Sequence, residues 1–260
     1  MAARIYPAAT LDEARSAIRQ GARPAAGMTV LALEWHAAPP RGDFVDLSRL
    51  PELRGIIEDA NSVHIGAMTS LAECRDDPRL REALPALPAL LDSVGSLGTR
   101  AQGTIGGNLG WGSGDLAPLL LAADAVTQGV EPGLIEAIRI PKDGMLVFAE
   151  KLGHRASVSP TLITVAFALR LEAGRIAALR LAVGGGPTRP QRLHSAEAAL
   201  IGQDGAALDW REWGAGIATH IAAGQDALCD ATHRARVAGR AIAYALWSHA
   251  ASAVQLGQAA

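Results

Sequence analysis

The chain has 260 residues, of which 49% are hydrophobic and 19% charged, with a formal net charge of -2. That is an ordinary soluble composition, long enough to bury one large core or two modest ones. The near-neutral balance gives no electrostatic reason to expect nucleic acid or an anionic membrane as partner.

Taken in chain order, Ile5 and Tyr6 read as a short strand. Thr10-Leu11-Asp12-Glu13 is a capping box that opens a helix, and Gly21 closes it at the C′ position. A small-residue turn, Ala25-Ala26-Gly27, then leads into the apolar run Thr29 to Leu33, which reads as a strand. Phe44 to Leu47 is strand-like, Leu50 to Leu53 a single turn, and Ile56-Ile57 with Val63 to Ala67 a hairpin. Ser70-x-x-Glu73 opens another helix with a second capping box, and Pro78 starts the next at the first helical position, where its missing N–H costs nothing. A mainly helical stretch runs to Leu91, followed by a glycine-rich segment from Gly95 to Gly114. Leu162 to Leu171 and Arg175 to Val183 form a β-hairpin across Glu172-Ala173-Gly174, read as a three-residue turn. Ser195 to Leu200 is a short helix ended by Gly202, and Asp230 to about Leu256 one long Ala-rich helix. The change of character near Ile140-Pro141 marks a boundary, giving domains at 1–142 and 143–260.

Chemistry-bearing patterns are few. Cys74 and Cys229 lie far apart with no C-x-x-C, which excludes a cysteine-ligated iron–sulfur cluster or structural zinc within this chain and argues for a reducing compartment. The first residues carry no charged-then-apolar leader, and the longest apolar stretch, Leu116 to Val126, is broken by Pro118 and Asp124. A cytoplasmic protein with no membrane span is therefore expected. The seven histidines are scattered, with no H-E-x-x-H or other ligand spacing, and no G-x-S-x-G elbow exists. No self-contained catalytic constellation and no metal site emerge, so any chemistry would be a cofactor's.

The most informative stretch is Arg100-Ala101-Gln102-Gly103-Thr104-Ile105-Gly106-Gly107-Asn108. Closely spaced glycines permit positive φ and a close approach of backbone to ligand, and successive N–H groups can cradle a phosphate. A tight turn at a sheet edge is the plainer alternative. Ala26-Gly27-Met28-Thr29 is a second glycine turn, commonplace when taken alone. Neither fits G-x-G-x-x-G or G-x-x-x-x-G-K-[ST], which disfavours the common dinucleotide and nucleoside-triphosphate folds.

Gly103-Thr104-Ile105-Gly106-Gly107-Asn108, followed by Asp115-Leu116-Ala117-Pro118 and Leu121-Ala122-Ala123-Asp124-Ala125, resembles the G-T-I-G-G-N…D-L-x-P…A-x-D-A signature of molybdenum hydroxylase flavin subunits, the xanthine and carbon monoxide dehydrogenase type. Ala26-Gly27-Met28-Thr29-Val30-Leu31 resembles that family's A-G-G-T-D-L loop, and Lys151 to Arg155 and Leu179 to Gly186 resemble its later segments. The resemblance implies an α+β fold: a vanillyl-alcohol-oxidase (PCMH) type FAD-binding domain made of two α+β subdomains, then a small C-terminal domain with a three-stranded antiparallel sheet and helices. It implies that Ala26, Gly27 and Thr29 line the FAD pyrophosphate, with Met28, Val30 and Leu31 in the same loop. Thr104, Ile105, Gly106, Gly107 and Asn108 would form the second FAD loop, and Asp115 would hold the ribityl chain or flavin edge. The implied function is electron transfer through FAD, from a small [2Fe-2S] subunit serving a large molybdopterin subunit to an external acceptor, within a heterotrimer or a dimer of heterotrimers. Two other readings are a structural subunit with FAD lost or weakly held, and a stand-alone flavoenzyme of the same superfamily.

The chain also departs from the pattern. Met28 stands where the family has Gly or another small or polar residue, Val30 where it often has Asp, Asn or Ser, and Ala101 where Asn is common. The stretches from Asn108 to Asp115 and from Asp124 to Ile135 are shortened. Met28 is expected to be tolerated only with negative φ and its side chain turned away from the phosphates.

Overall fold

In the computed structural model, residues 3–130, 133–155 and 159–258 are described. The chain divides into two compact units, the first made of Met1–Ala83, Leu87–Trp111 and Ala125–Lys142, the second of Leu84–Ala86, Gly112–Asp124 and Asp143–Ala260. The link between Asp124 and Ile135 includes residues 131–132, which lie outside the described residues.

The first unit begins β1 (Arg4–Pro7), α1 (Leu11–Arg19), β2 (Arg23–Ala25), α2 (Thr29–Ala37), β3 (Asp43–Asp46). β3 runs parallel to both β1 and β2 and sits between them. A 3-10 turn, Pro51–Leu53, leads to β4 (Ile56–Glu58) and β5 (Ser62–Gly66). These join β6 (Val126–Val130) and β7 (Leu134–Pro141) in an antiparallel sheet of order β4-β5-β7-β6. Short helices α3 (Leu71–Asp76), α4 (Pro78–Ala83), α5 (Ala86–Asp92), α6 (Leu97–Gln102) and α7 (Ile105–Gly110) follow β5 in the chain. The apolar face of α1, with Ala14, Ala17 and Ile18, meets Val45, Leu47, Leu50, Leu53 and Met68 in one buried cluster.

In the second unit, α8 (Ala117–Ala122) precedes β8 (Leu146–Gly153), β9 (Thr161–Glu172), β10 (Arg175–Gly185) and β11 (Thr188–Arg192). These strands form an antiparallel sheet of order β11-β10-β9-β8. Helices α9 (His194–Leu200), α10 (Trp210–Ala218) and α11 (Ala231–Gln258) complete it. Ile163, Val165, Phe167 and Leu169 of β9 pack with Leu181 and Val183 of β10, Leu200 of α9, Ile217 of α10, and Ile242 and Leu246 of α11. With α8 also against β9 and β10, the strand is buried on both faces, which accounts for its nearly unbroken apolar sequence.

Local capping behaves as the sequence suggests. Ser70 and Glu73 make the full reciprocal box, and Gly21 takes φ 95 after α1. Thr10 accepts from Glu13 N, but the Glu13 carboxylate receives Ala9 N, one residue earlier than the box predicts.

Three expectations are corrected. Thr29 to Leu33 is not a strand but the start of α2: a short apolar run has no decisive period, and Leu, Ala and Glu here favour helix, while the adjacent edge position is already filled by Arg23–Ala25. The C-terminal sheet has four strands rather than three. Neither β8 nor β11 is read from the sequence; β8 pairs with β9 along its length but is only partly buried, so it lacks a clean alternation. The β9–β10 hairpin turns on two residues, Ala173 and Gly174, both at positive φ (49 and 77), the backbone that matches strand twist.

Candidate functional site

In the first unit, folding brings the two glycine turns together. Leu71 N donates to Gly103 O at 2.8 Å, Ile105 N to Thr69 O at 3.0 Å, and Gly106 N to Ala67 O at 2.9 Å. Residues 103–106 are thereby fixed against residues 67–71. Gly27 then backs directly onto this segment, so that a Cβ there would overlap the carbonyl oxygen of Gln102. A Cβ on Gly106 would lie 2.6 Å from that of Ala67, and one on Gly103 would be 2.8 Å from Thr99 O.

Of the two uses that closely spaced glycines permit, positive φ and close approach, the G-T-I-G-G-N segment takes the second: Gly103, Gly106 and Gly107 do not have positive φ. Gly103 has φ -63, and Gly106 and Gly107 lie in the first turn of α7. Glycine is required at 103 and 106 because backbones and small side chains touch. Gly107 is looser: a Cβ would be 3.0 Å from Thr104 Oγ1 and 3.8 Å from the Cβ of Ala26.

Thr104 caps α7, its Oγ1 accepting from Gly107 N at 3.1 Å. Having accepted, the hydroxyl still carries a proton to donate. Ile105 is fully buried and Leu31 nearly so, packed with Ala25 and Phe44, so only their backbones can serve a ligand. Asn108 is half-buried, with its N–H bonded to Thr104 O at 2.9 Å.

Met28 is the N-cap of α2 with φ 60 and ψ -3, contrary to the negative φ expected for it. The turn needs a left-handed residue here, the conformation glycine adopts freely and other L-residues adopt at a cost of about 1–2 kcal/mol. Its side chain packs against the Ala25–Leu31–Phe44 cluster, which offsets part of that cost. No side chain caps α2, and its first turn contains no acidic residue. A helix start of this kind leaves N–H groups in want of an acceptor, and the helix dipole favours an anion. The start of α2 therefore fits a phosphate-bearing group through its backbone donors, whereas the N–H groups of Ile105 to Asn108 are already bonded within the chain, so that from the second segment the Thr104 hydroxyl is the donor at hand.

Asp115 belongs to the second unit and is 7% exposed. Its Oδ1 accepts from Thr161 Oγ1 at 2.7 Å and Thr164 Oγ1 at 3.4 Å, and its Oδ2 lies 3.5 Å from Lys151 Nζ. Gly185 (φ 86) leaves room for this group, since a Cβ there would be 3.1 Å from Asp115 Oδ1. Sequence reading missed Lys151, Thr161 and Thr164 as partners. The only signal was two threonines, Thr161 and Thr164, on the otherwise apolar run of β9.

Elsewhere, Ser62 Oγ and Asp59 Oδ2 both meet His64 Nε2 at 3.0 Å. A proton relay needs the acid and the hydroxyl on opposite ring nitrogens, so this is a turn clasp rather than a nucleophile triad. Burial pushes the Cys74 thiol up to about 12, which leaves it inert. Among the described residues no helix is long and apolar enough to cross a membrane.

Two families match the chain in succession. Residues 1–142 match the family described as the FAD binding domain in molybdopterin dehydrogenase, and residues 150–250 the CO dehydrogenase flavoprotein C-terminal domain. The chain is 36% identical over 123 residues to the nicotinate dehydrogenase FAD-subunit of Eubacterium barkeri, a match that spans 45% of this chain and only 42% of that protein. It is 28% identical over 224 residues to a putative xanthine dehydrogenase FAD-binding subunit of Escherichia coli, covering 74% of this chain and 77% of the relative. A carbon monoxide dehydrogenase structure from Hydrogenophaga pseudoflava superposes with TM-score 0.85 at 23% identity, over 97% of this chain and 98% of the other, which establishes likeness of fold.

Proposed function

Because the chain belongs to the family of FAD-binding domains of molybdopterin dehydrogenases, we propose that it is the flavin subunit of a multi-subunit molybdenum hydroxylase. The observation that carries this reading is the uncapped start of α2 adjoining the glycine-packed Gln102–Gly107 segment, a backbone cradle suited to a pyrophosphate. The finer fold assignment, a vanillyl-alcohol-oxidase type FAD domain over 1–142 followed by a flavoprotein C-terminal domain over 143–260, belongs to the same proposal.

Ala26, Gly27 and the N–H groups of Thr29, Val30 and Leu31 would bind one side of the pyrophosphate. The second loop, Thr104 through Asn108, would bind it with the Thr104 hydroxyl donating its remaining proton. In the second unit, Asp115, held by Thr161, Thr164 and Lys151, is the residue proposed for the ribityl chain or flavin edge. When bound, FAD supplies two-electron redox chemistry, linking iron–sulfur clusters of a partner subunit to an external acceptor. No residue of this chain takes a proton or acts as a nucleophile in the proposal. The molybdopterin subunit would hydroxylate the substrate, and the [2Fe-2S] subunit would relay its electrons. The structural-subunit alternative is not favoured, because the cradle's backbone donors survive the departures at Met28 and Val30.

Flavin retention tests the site. Gly107→Val adds two methyls beside Thr104 Oγ1 and Ala26, and should release flavin while the far-ultraviolet circular dichroism of the complex is unchanged. Asn108→Ala should weaken retention by about one hydrogen bond, ~0.5–1.5 kcal/mol. Full flavin content in both variants would reduce the loop to a structural turn.

A further inference from the structure

Aromatic residues make up 4% of this chain, yet three of them meet on one surface of the second unit. Trp210 of α10 stands edge-on to Tyr244 of α11 at 5.5 Å between ring centroids, and Tyr244 lies 5.8 Å from Trp247. The Arg211 guanidinium sits over Trp210 at 4.4 Å. Along α11, Arg236, Arg240, Tyr244 and Trp247 recur at helical steps of four, four and three, so they share one stripe. That stripe faces outward: Arg236 and Arg240 are exposed, Tyr244 is 52% exposed, and Trp247 is half-buried.

The charge pattern is one-sided. α11 contains no Asp or Glu. Arg211 has its ring contact and Arg236 a bond to His233 Nδ1, and among the described residues Arg211, Arg236 and Arg240 make no ion pair with a carboxylate. On α10, Asp209 is engaged as the N-cap, leaving Glu212 as the acidic residue of the helix itself. Half-buried Trp with exposed Tyr and Arg in one cluster has the composition of an interface centre, where rigid aromatic area is gained at little entropic cost. A two-fold contact with a second copy would set the Arg236–Arg240 stripe against itself, which like charges oppose.

We infer that the α11 stripe Arg236, Arg240, Tyr244 and Trp247, with Trp210 and Arg211 of α10, is a docking surface for a carboxylate-rich face of a partner subunit. This deepens the assembly reading above and rests on it. The aromatic rings form the desolvated centre and the guanidinium groups pair with acidic side chains at the rim.

The test is assembly of the full chain with the iron–sulfur and molybdenum subunits of its own complex, measured by analytical ultracentrifugation at low and high salt. Arg236→Glu combined with Arg240→Glu should weaken assembly about tenfold or more, Tyr244→Ala should weaken it comparably, and Arg240→Lys should have little effect. Wild-type assembly should weaken as salt rises, and flavin content per chain should stay unchanged in all variants. Two outcomes overturn the inference alone: variants that assemble like the wild type, or an isolated wild-type chain that dimerises while the charge-reversed chain stays monomeric. A wild-type chain that joins neither subunit overturns the assembly reading and this surface together.

Discussion

The two candidate site regions are built differently: in the first unit backbone packs on backbone, whereas in the second a buried carboxylate is held by side chains. In the first, Gly27 and Gly106 let Gln102 and Ala67 approach so closely that a methyl group would not fit, and the polar groups at hand are the N–H groups at the start of α2 and the Thr104 hydroxyl. In the second, the Asp115 carboxylate lies between two threonine hydroxyls and the Lys151 ammonium, and the fully buried Arg234 meets Asp226 at 3.0 Å. Backbone donors bind a phosphate without a charged side chain, and they tolerate change in side chains that point elsewhere. A buried carboxylate depends on every partner it has.

The largest effect should therefore come from the second unit. Asp115→Ala removes the buried carboxylate on which Thr161, Thr164 and Lys151 converge and should destabilise by about 3–5 kcal/mol, seen as a lower urea midpoint. Combined with Lys151→Met, the loss should be smaller than the sum of the two single losses, because both variants break the same buried contact. A double variant as unstable as the sum of its parts would show that the pair is not coupled.

Gly27→Ala probes the first unit's packing. The added methyl must displace the Gln102 backbone, costing about 1–3 kcal/mol or somewhat more. Gly110, at the end of α7, has nothing within 4 Å of its missing Cβ, so Gly110→Ala should be neutral or stabilising by up to ~1 kcal/mol. Equal responses at the two positions would refute close packing as the reason for Gly27.

The smallest effect should be at Met28. Met28→Gly removes left-handed strain but forfeits the packing on Phe44 and frees the unfolded chain, a near balance within ~1 kcal/mol, with flavin retained. Met28→Val puts a β-branched residue at φ 60 and should lose stability by at least ~1–2 kcal/mol in thermal melts. If Val is tolerated as well as Gly, the turn does not demand a left-handed residue.

The same contrast explains what could be read from the sequence. Caps and turns follow local rules, so Ser70-x-x-Glu73, Gly21 and the Ile56–Ile65 hairpin were legible from a few residues each. The meeting of the two glycine loops came from resemblance, since nothing within Ala26–Leu31 specifies residue 102 as a neighbour. The Asp115 cluster was hidden because its partners lie 46 and 49 residues downstream, on strands whose sequence signal is dominated by burial. α2 was misread because four consecutive apolar residues suit a strand or a helix equally, and Met28 because its positive φ is imposed by the turn rather than by its own preference.

Flavin released by denaturing the intact complex, quantified before and after prolonged dialysis, decides whether the chain carries FAD. FAD should be bound by the fresh complex and partly lost on dialysis, because the start of α2 keeps its backbone donors while Met28 and Val30 depart from the family's loop. A complex that carries no flavin, even when FAD is supplied throughout expression, would contradict this reading.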